Sequence, residues 1–313
     1  MPTAKPKRSE PERRGAASRR AIPAHVLREL HAGAIETRSL VEWLALDLAL
    51  VAENTLPLIM GEANAEAVAA AARASAREKR GIAERTRIIG AAIAARLGSG
   101  AARARRIDAL AQHRSDTVRG WCAYALVGAE GLALDARLTH ARPFAADSHF
   151  GVRELAWLAL RPALAAEIER AIALLAPWCA ERDPRLRRFA SESTRPRGVW
   201  CAHIAKLRAE PELGLPLLEP LRSDPDKYVR DSVSNWLNDA AKDRPDWVRA
   251  TCKRWTRGSP TPETAYVVKR ALRGLGGPVK KRAGCETIHS GRASCASPST
   301  LREPAPDPDG DDS

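Results

Sequence analysis

Three carboxylates stand at related positions in a repeated phrase of this chain: Glu154, Glu192 and Asp239. Counted from the hydrophobic residue that anchors each copy (Val152, Leu186 and Val229), they lie two, six and ten residues on. Offsets that differ by four are one helical turn apart, so on stacked helices these acids share one stripe at three depths. A row of carboxylates on one surface suits chemistry that develops positive charge. It stabilises a cationic base or an oxocarbenium-like sugar and can orient an attacking water. For any single acid, pairing with a neighbouring Arg or capping a helix is the simpler assignment. Trp121, Trp157, Trp200 and Trp236 fall in or just after the same segments, where an indole face can hold a cation. Core packing is the commoner use of such residues. Trp236, three residues before Asp239, is the leading functional candidate among them.

The elements that must position these residues follow from the repeats. The copies read SDTVRGWCAYAL from Ser115, DSHFGVRELAWLAL from Asp147, DPRLRRFASEST from Asp183 and DPDKYVRDSVSNWLND from Asp224. Aligned on Val118, Val152, Leu186 and Val229, they recur at steps of 34, 34 and 43 residues. That period marks a helical-repeat solenoid, whose units bury their apolar faces only by stacking and so generate a concave surface. Each Asp-Pro or Ser-Asp is expected to supply a turn and N-cap. Arg119, Arg153, Arg187 and Arg230 occupy one equivalent position, expected to form an Asp-to-Arg ladder between repeats in preference to phosphate contacts.

Upstream, Ser39 and Glu42 have the spacing of a capping box, which predicts a helix from about Leu40 to Val51. Pro57 is placed to open the next helix, and the Ala-rich stretch 61–112 predicts two or three more. No alternating strand pattern occurs, so the expected class is all-α: a HEAT-like helical-repeat α-solenoid with a concave basic groove. Composition divides the chain into a disordered basic tail (1–22), a solenoid domain (23–275) and a disordered tail (276–313).

The formal net charge is +13, of which residues 1–22 supply +5 and residues 276–313 supply −1, so the body keeps about +9. A positive body of this size favours polyanions through counterion release, although a generally Arg-rich composition would give the same sum. Six cysteines show neither CxxC pairing nor regular spacing with the seven histidines, which speaks against a zinc site or a disulfide framework. The acids could in principle hold Mg²⁺, but no compact Asp/Glu/His cluster supports a metal-dependent nuclease. No segment reaches the ~18 apolar residues of a spanning helix, and the N-terminus lacks the apolar core of a signal peptide. A cytoplasmic protein without membrane association is expected.

FGVRELAWLALRP, RRFASESTRPRGVW and YVRDSVSNWLNDAAKDRPDWV resemble the HEAT-like-repeat DNA alkylation repair glycosylases of the AlkC and AlkD type, the AlkC branch more closely. IETRSLVEWLALD resembles the opening of that branch, and the likeness covers most of about 25–275. The chain has no strand-rich segment after the repeats, so it departs from AlkC-type proteins that carry a C-terminal immunoglobulin-like domain. The resemblance implies a monomeric, metal-independent glycosylase without organic cofactor. Such an enzyme acts on double-stranded DNA and excises cationic N-alkylated bases such as 3-methyladenine. It implies that Asp239, aided by Glu192 and Glu154, forms the catalytic group. Arg195, Arg197 and Lys242, beside those motifs, become candidate phosphate contacts. The alternative is a noncatalytic helical-repeat scaffold that binds nucleic acid or protein.

Overall fold

The computed structural model describes residues 13–275, and every regular element among them is helical. Five inner helices carry the repeats: α1 (Asp116–Val127), α2 (Phe150–Ala166), α3 (Pro184–Ser193), α4 (Lys227–Ala240) and α5 (Pro262–Ala271). Each packs on the next in order, and an outer layer of Leu134–Ala145, Ile168–Leu175, Leu215–Leu221 and Pro245–Gly258 backs them. This is the stacking that the repeat period demands, since no single helix pair could bury its own apolar face. The core runs continuously through the stack, with Trp121, Trp236 and Trp255 among its largest fully buried side chains.

The conserved grammar of the phrase has a local cause. In all four copies the Arg sends Nη1 back to the carbonyls six and five residues earlier: Arg119 to His113 and Arg114, Arg153 to Asp147 and Ser148, Arg187 to Glu181 and Arg182, Arg230 to Asp224 and Pro225. These bonds satisfy turn carbonyls that no helix ladder reaches. The ladder between repeats exists at two of the four rungs, Arg119 to Asp147 (2.9 Å) and Arg187 to Asp224 (2.6 Å). Arg153 and Arg230 instead lie over the Tyr228 and Tyr266 rings, at 5.1 and 5.4 Å.

Turn and cap are divided differently from the expectation. Asp183 caps α3 directly, but Asp147 and Asp224 accept from the amides two residues on, and the caps are His149 and Asp226. Asp116 is no cap at all. It lies inside α1, buried, and accepts the Thr37 amide and hydroxyl at 2.9 and 2.8 Å.

The predicted helix 40–51 is two, Leu40–Leu44 and Leu48–Thr55, because Asp47 accepts the Ala49 and Leu50 amides and starts a new cap. The capping box is half formed. Ser39 accepts from the Glu42 amide, while the Glu42 carboxylate turns to the Arg38 and Ala16 amides and to Arg13. Pro57 opens Pro57–Met60, and the Ala-rich stretch forms Glu62–Arg77, Ile82–Ala94 and Gly100–Ala111. Residues 13–22, grouped with the basic tail by composition, hold the Arg13 pair with Glu42 and a 3₁₀ turn at Arg19–Ala21. The rest of that tail and residues 276–313 lie outside the described residues.

Candidate active site

The shared stripe exists, and it is not a row of bare acids. Glu154 on α2 meets Arg188 on α3 at 2.7 Å, and Arg188 lies 3.6 Å from Glu192 one turn along. Glu192 pairs with Arg195 at 2.8 Å, Arg195 with Asp239 of α4 at 2.7 Å, and Asp239 with Lys242 at 3.3 Å. Three acids therefore alternate with three cations across three stacked helices. The Arg188 guanidinium sits 4.4 Å above the Tyr228 ring, which fixes its plane.

Within this chain the acids differ in exposure. Glu192 and Asp239 are each 4% exposed, and Ser232 closes the second Glu192 oxygen at 2.7 Å. Burial alone would push the Glu192 carboxyl up, but Arg188 and Arg195 outweigh it and hold it below the usual carboxylate range. Arg188 in turn is pushed above its usual value: burial works against its charge, and Glu192 and Glu154 more than offset that. Glu154 keeps 33% of its side chain exposed, with one oxygen on Arg188 and the other accepting the Trp157 indole N–H at 2.9 Å.

Glu154 also reaches a cleft. A cavity of about 220 Å³ lies beside it, lined by Leu40, Trp43, Phe150, Trp157 and Trp200 and otherwise nearly free of polar groups. Trp43 and Trp200 meet edge to face, centroids 6.5 Å apart at 67°. An apolar cavity of about 150 Å³ holds a benzene, so this one has room for a larger flat ring. Thr37 also lines the cavity; its carbonyl meets His149 Nε2 at 2.7 Å while Asp116 accepts its amide and hydroxyl. His149 Nδ1 accepts the Gly151 amide, so Nε2 carries the proton.

Several sequence expectations change here. Trp236 and Trp121 are fully buried, and the Trp236 indole donates to the Thr194 carbonyl at 3.1 Å, so neither can stack on a ligand. Trp157 is 5% exposed with its indole N–H taken by Glu154, and Trp200 is 39% exposed. Arg195 is clamped between two buried carboxylates, which removes it as a phosphate contact. Arg197 donates to Asp243 through its Nε–Nη2 edge, and Arg208 and Arg197 together hold that carboxyl well below the usual carboxylate range. Lys242 is left 55% exposed at the end of the row. Among the described residues no group of three or more His, Cys, Asp or Glu is arranged to hold a metal ion. No described helix is long and apolar enough to cross a membrane.

Sequence reasoning missed Trp43, Phe150 and Arg188. Arg188 was legible, since it precedes Glu192 by four residues and Arg195 follows by three, the spacings of helical ion pairs. Nothing local in the sequence signals that Trp43 stands against Trp200.

The alkylpurine DNA glycosylase AlkC of Pseudomonas fluorescens, solved bound to DNA containing an abasic site analogue, is similar over 72% of this chain, with 25% identity and a TM-score of 0.59. The fold is AlkC-like. Only 61% of that AlkC chain is spanned by the match. AlkD2 of Streptococcus mutans shares the helical-repeat fold over 66% of this chain, at 21% identity and a TM-score of 0.51. The uncharacterized protein YhaZ of Bacillus subtilis is 39% identical over 117 residues, which are 37% of this chain and 32% of that protein. No protein-family model matches the chain. On this AlkC-like scaffold the charge row and the aromatic cleft both lie on the inner helices and the segments packed against them, α2 contributing to each.

Proposed function

We propose that this protein is a DNA glycosylase that hydrolyses the N-glycosidic bond of cationic N-alkylated bases such as 3-methyladenine. The observation that carries the reading is Glu154, a carboxylate on the wall of an otherwise apolar aromatic cleft. Indole faces with an adjacent carboxylate attract a flat cation, and N-alkylation makes the base one. The likeness to AlkC supports the class of reaction, and the +13 net charge suits a polyanionic partner.

The chemistry asks little of the protein because the base already carries positive charge. The bond between the base nitrogen and C1′ breaks with its electron pair going to the base, which leaves neutral. Positive charge then builds on the sugar, where the Glu154 carboxylate stabilises it. Water adds its oxygen to C1′ and gives up a proton to the carboxylate or to bulk solvent. Glu192 and Asp239 act behind this centre by fixing Arg188 and Arg195, and Lys242 is the member of the row free to meet a phosphate. The role first expected of Asp239 thus passes to Glu154.

The test is release of the alkylated base from methylated duplex DNA by the full chain in the presence of chelator. Release supports the glycosylase. The second reading, a noncatalytic DNA-binding scaffold, draws on the burial and pairing of Glu192 and Asp239. DNA binding without any release would select it.

A further inference from the structure

Arg161 is a buried cation without a carboxylate. It is 2% exposed, and its guanidinium donates to three main-chain carbonyls: Ser193 (3.0 Å), Arg195 (2.7 Å) and Ala202 (3.1 Å). Burial pushes its pKa down, a cost that a purely packing residue would avoid. The three acceptors lie along one segment, 193–204, closed by the Ile204 amide on the Pro196 carbonyl at 3.0 Å. The segment occupies the third repeat step, nine residues longer than the two before it.

That segment presents both halves of the site. At its start Arg195 bridges Glu192 and Asp239, and further on Trp200 forms the open wall of the cleft against Trp43. Its winding is tight: a Cβ on Gly198 would stand 2.1 Å from the Cys201 sulfur and 3.6 Å from Arg161 Cζ. Arg161 itself lies on α2, seven residues and so two turns beyond Glu154.

We propose that Arg161 is the positioning residue of the site, setting the Trp200 wall and the Arg195 bridge relative to Glu154 on the same helix. The proposal rests on the glycosylase reading for its catalytic consequence but not for its structural one. Arg161 touches no substrate. It acts by holding the segment to three points through three separate nitrogens, a span that the one ammonium nitrogen of a Lys cannot reproduce.

The experiment uses Arg161→Lys and Gly198→Ala in the full chain, with two readouts. The first is the rate at which iodoacetamide alkylates Cys201, followed by peptide mapping. Cys201 is the partly exposed one of the four described cysteines, the others being buried. A loosened segment raises that rate about tenfold or more while the melting temperature shows the solenoid still folded. The second is single-turnover base release, expected to fall on the order of 10- to 100-fold, because a misplacement of about 1 Å costs that much, with DNA affinity held within about threefold. Unchanged Cys201 labelling in a folded Arg161→Lys protein overturns the proposal, as does unchanged release once wild type is seen to release base. Faster labelling with no release from wild type leaves the positioning role standing and defeats the glycosylase reading instead.

Discussion

Replacing Glu154 with Gln tests the centre of the reaction with little disturbance to its surroundings. The amide oxygen can still accept from Trp157 while the NH2 group replaces the oxygen that faced Arg188, and Arg188 keeps Glu192 at 3.6 Å, so no buried charge is left without a partner. What disappears is a negative charge beside the site where C1′ becomes positive. At about 4 Å and an effective dielectric of ~20, two unit charges interact by about 4 kcal/mol. Arg188 at 2.7 Å on the other oxygen cancels roughly half of that field, which leaves about 2 kcal/mol. The expected loss is therefore ~30-fold in the rate of base release. Single-turnover release from methylated duplex DNA, with chelator present, measures it. Stability should move by less than about 1 kcal/mol, because a partly exposed ion pair contributes little. A Glu154→Gln protein that binds DNA normally and releases base within threefold of wild type would falsify the assignment of Glu154.

The remaining expectations separate the cleft from its support. Trp200→Ala should lower base release about tenfold by removing a cation-holding face, with an unfolding midpoint close to wild type. Trp236→Ala should do the reverse of what an open-site residue does, costing about 3–5 kcal/mol in urea unfolding, since it empties a fully buried site packed against Gly214. Arg195→Met leaves Asp239 with only Lys242 and should cost about 3 kcal/mol by the same measurement; a value below about 1 would mean the buried row is not electrostatically coupled. Glu192, whose folded pKa is lowered, contributes stability that is complete above the ordinary carboxylate value of about 4.3 and is lost as pH falls through the folded value. Stability should accordingly decline below about pH 4.5, and Glu192→Gln should flatten that decline in acid titrations followed by circular dichroism.

Legibility in the sequence tracks range of interaction. The repeat phrase could be read because its Arg bonds carbonyls five and six residues back, so each copy carries its own structural cause. The acid stripe could be read because a four-residue offset fixes a face of a helix whatever surrounds it. Which indoles are buried could not, since burial of Trp236 and exposure of Trp200 depend on what folds over each. Trp236 is covered by the outer segment at Gly214, and Trp200 stands on the inserted loop. Thr37, on the cleft wall, is fixed by bonding Asp116, 79 residues away. Of the Ser115–Asp116 pair expected to supply turn and cap, Ser115 stands at the N-cap position and a tertiary partner claims the Asp116 carboxylate.

The alternation of charge reconciles an acid stripe with a basic body. Three bare carboxylates would repel the DNA of the proposed function, yet Glu154, Glu192 and Asp239 are matched one for one by Arg188, Arg195 and Lys242. Seen from a phosphate at a Debye length of roughly 8–10 Å, the row is close to neutral. Seen from within the cleft, where Glu154 is the near member and its partner stands behind it, the same row is negative. On the proposed function, interleaving would let one set of side chains tolerate a phosphate backbone at long range and favour a cation at short range. It also explains why the inner acids are buried: their work is to hold two guanidinium groups in place, and that is done best away from water.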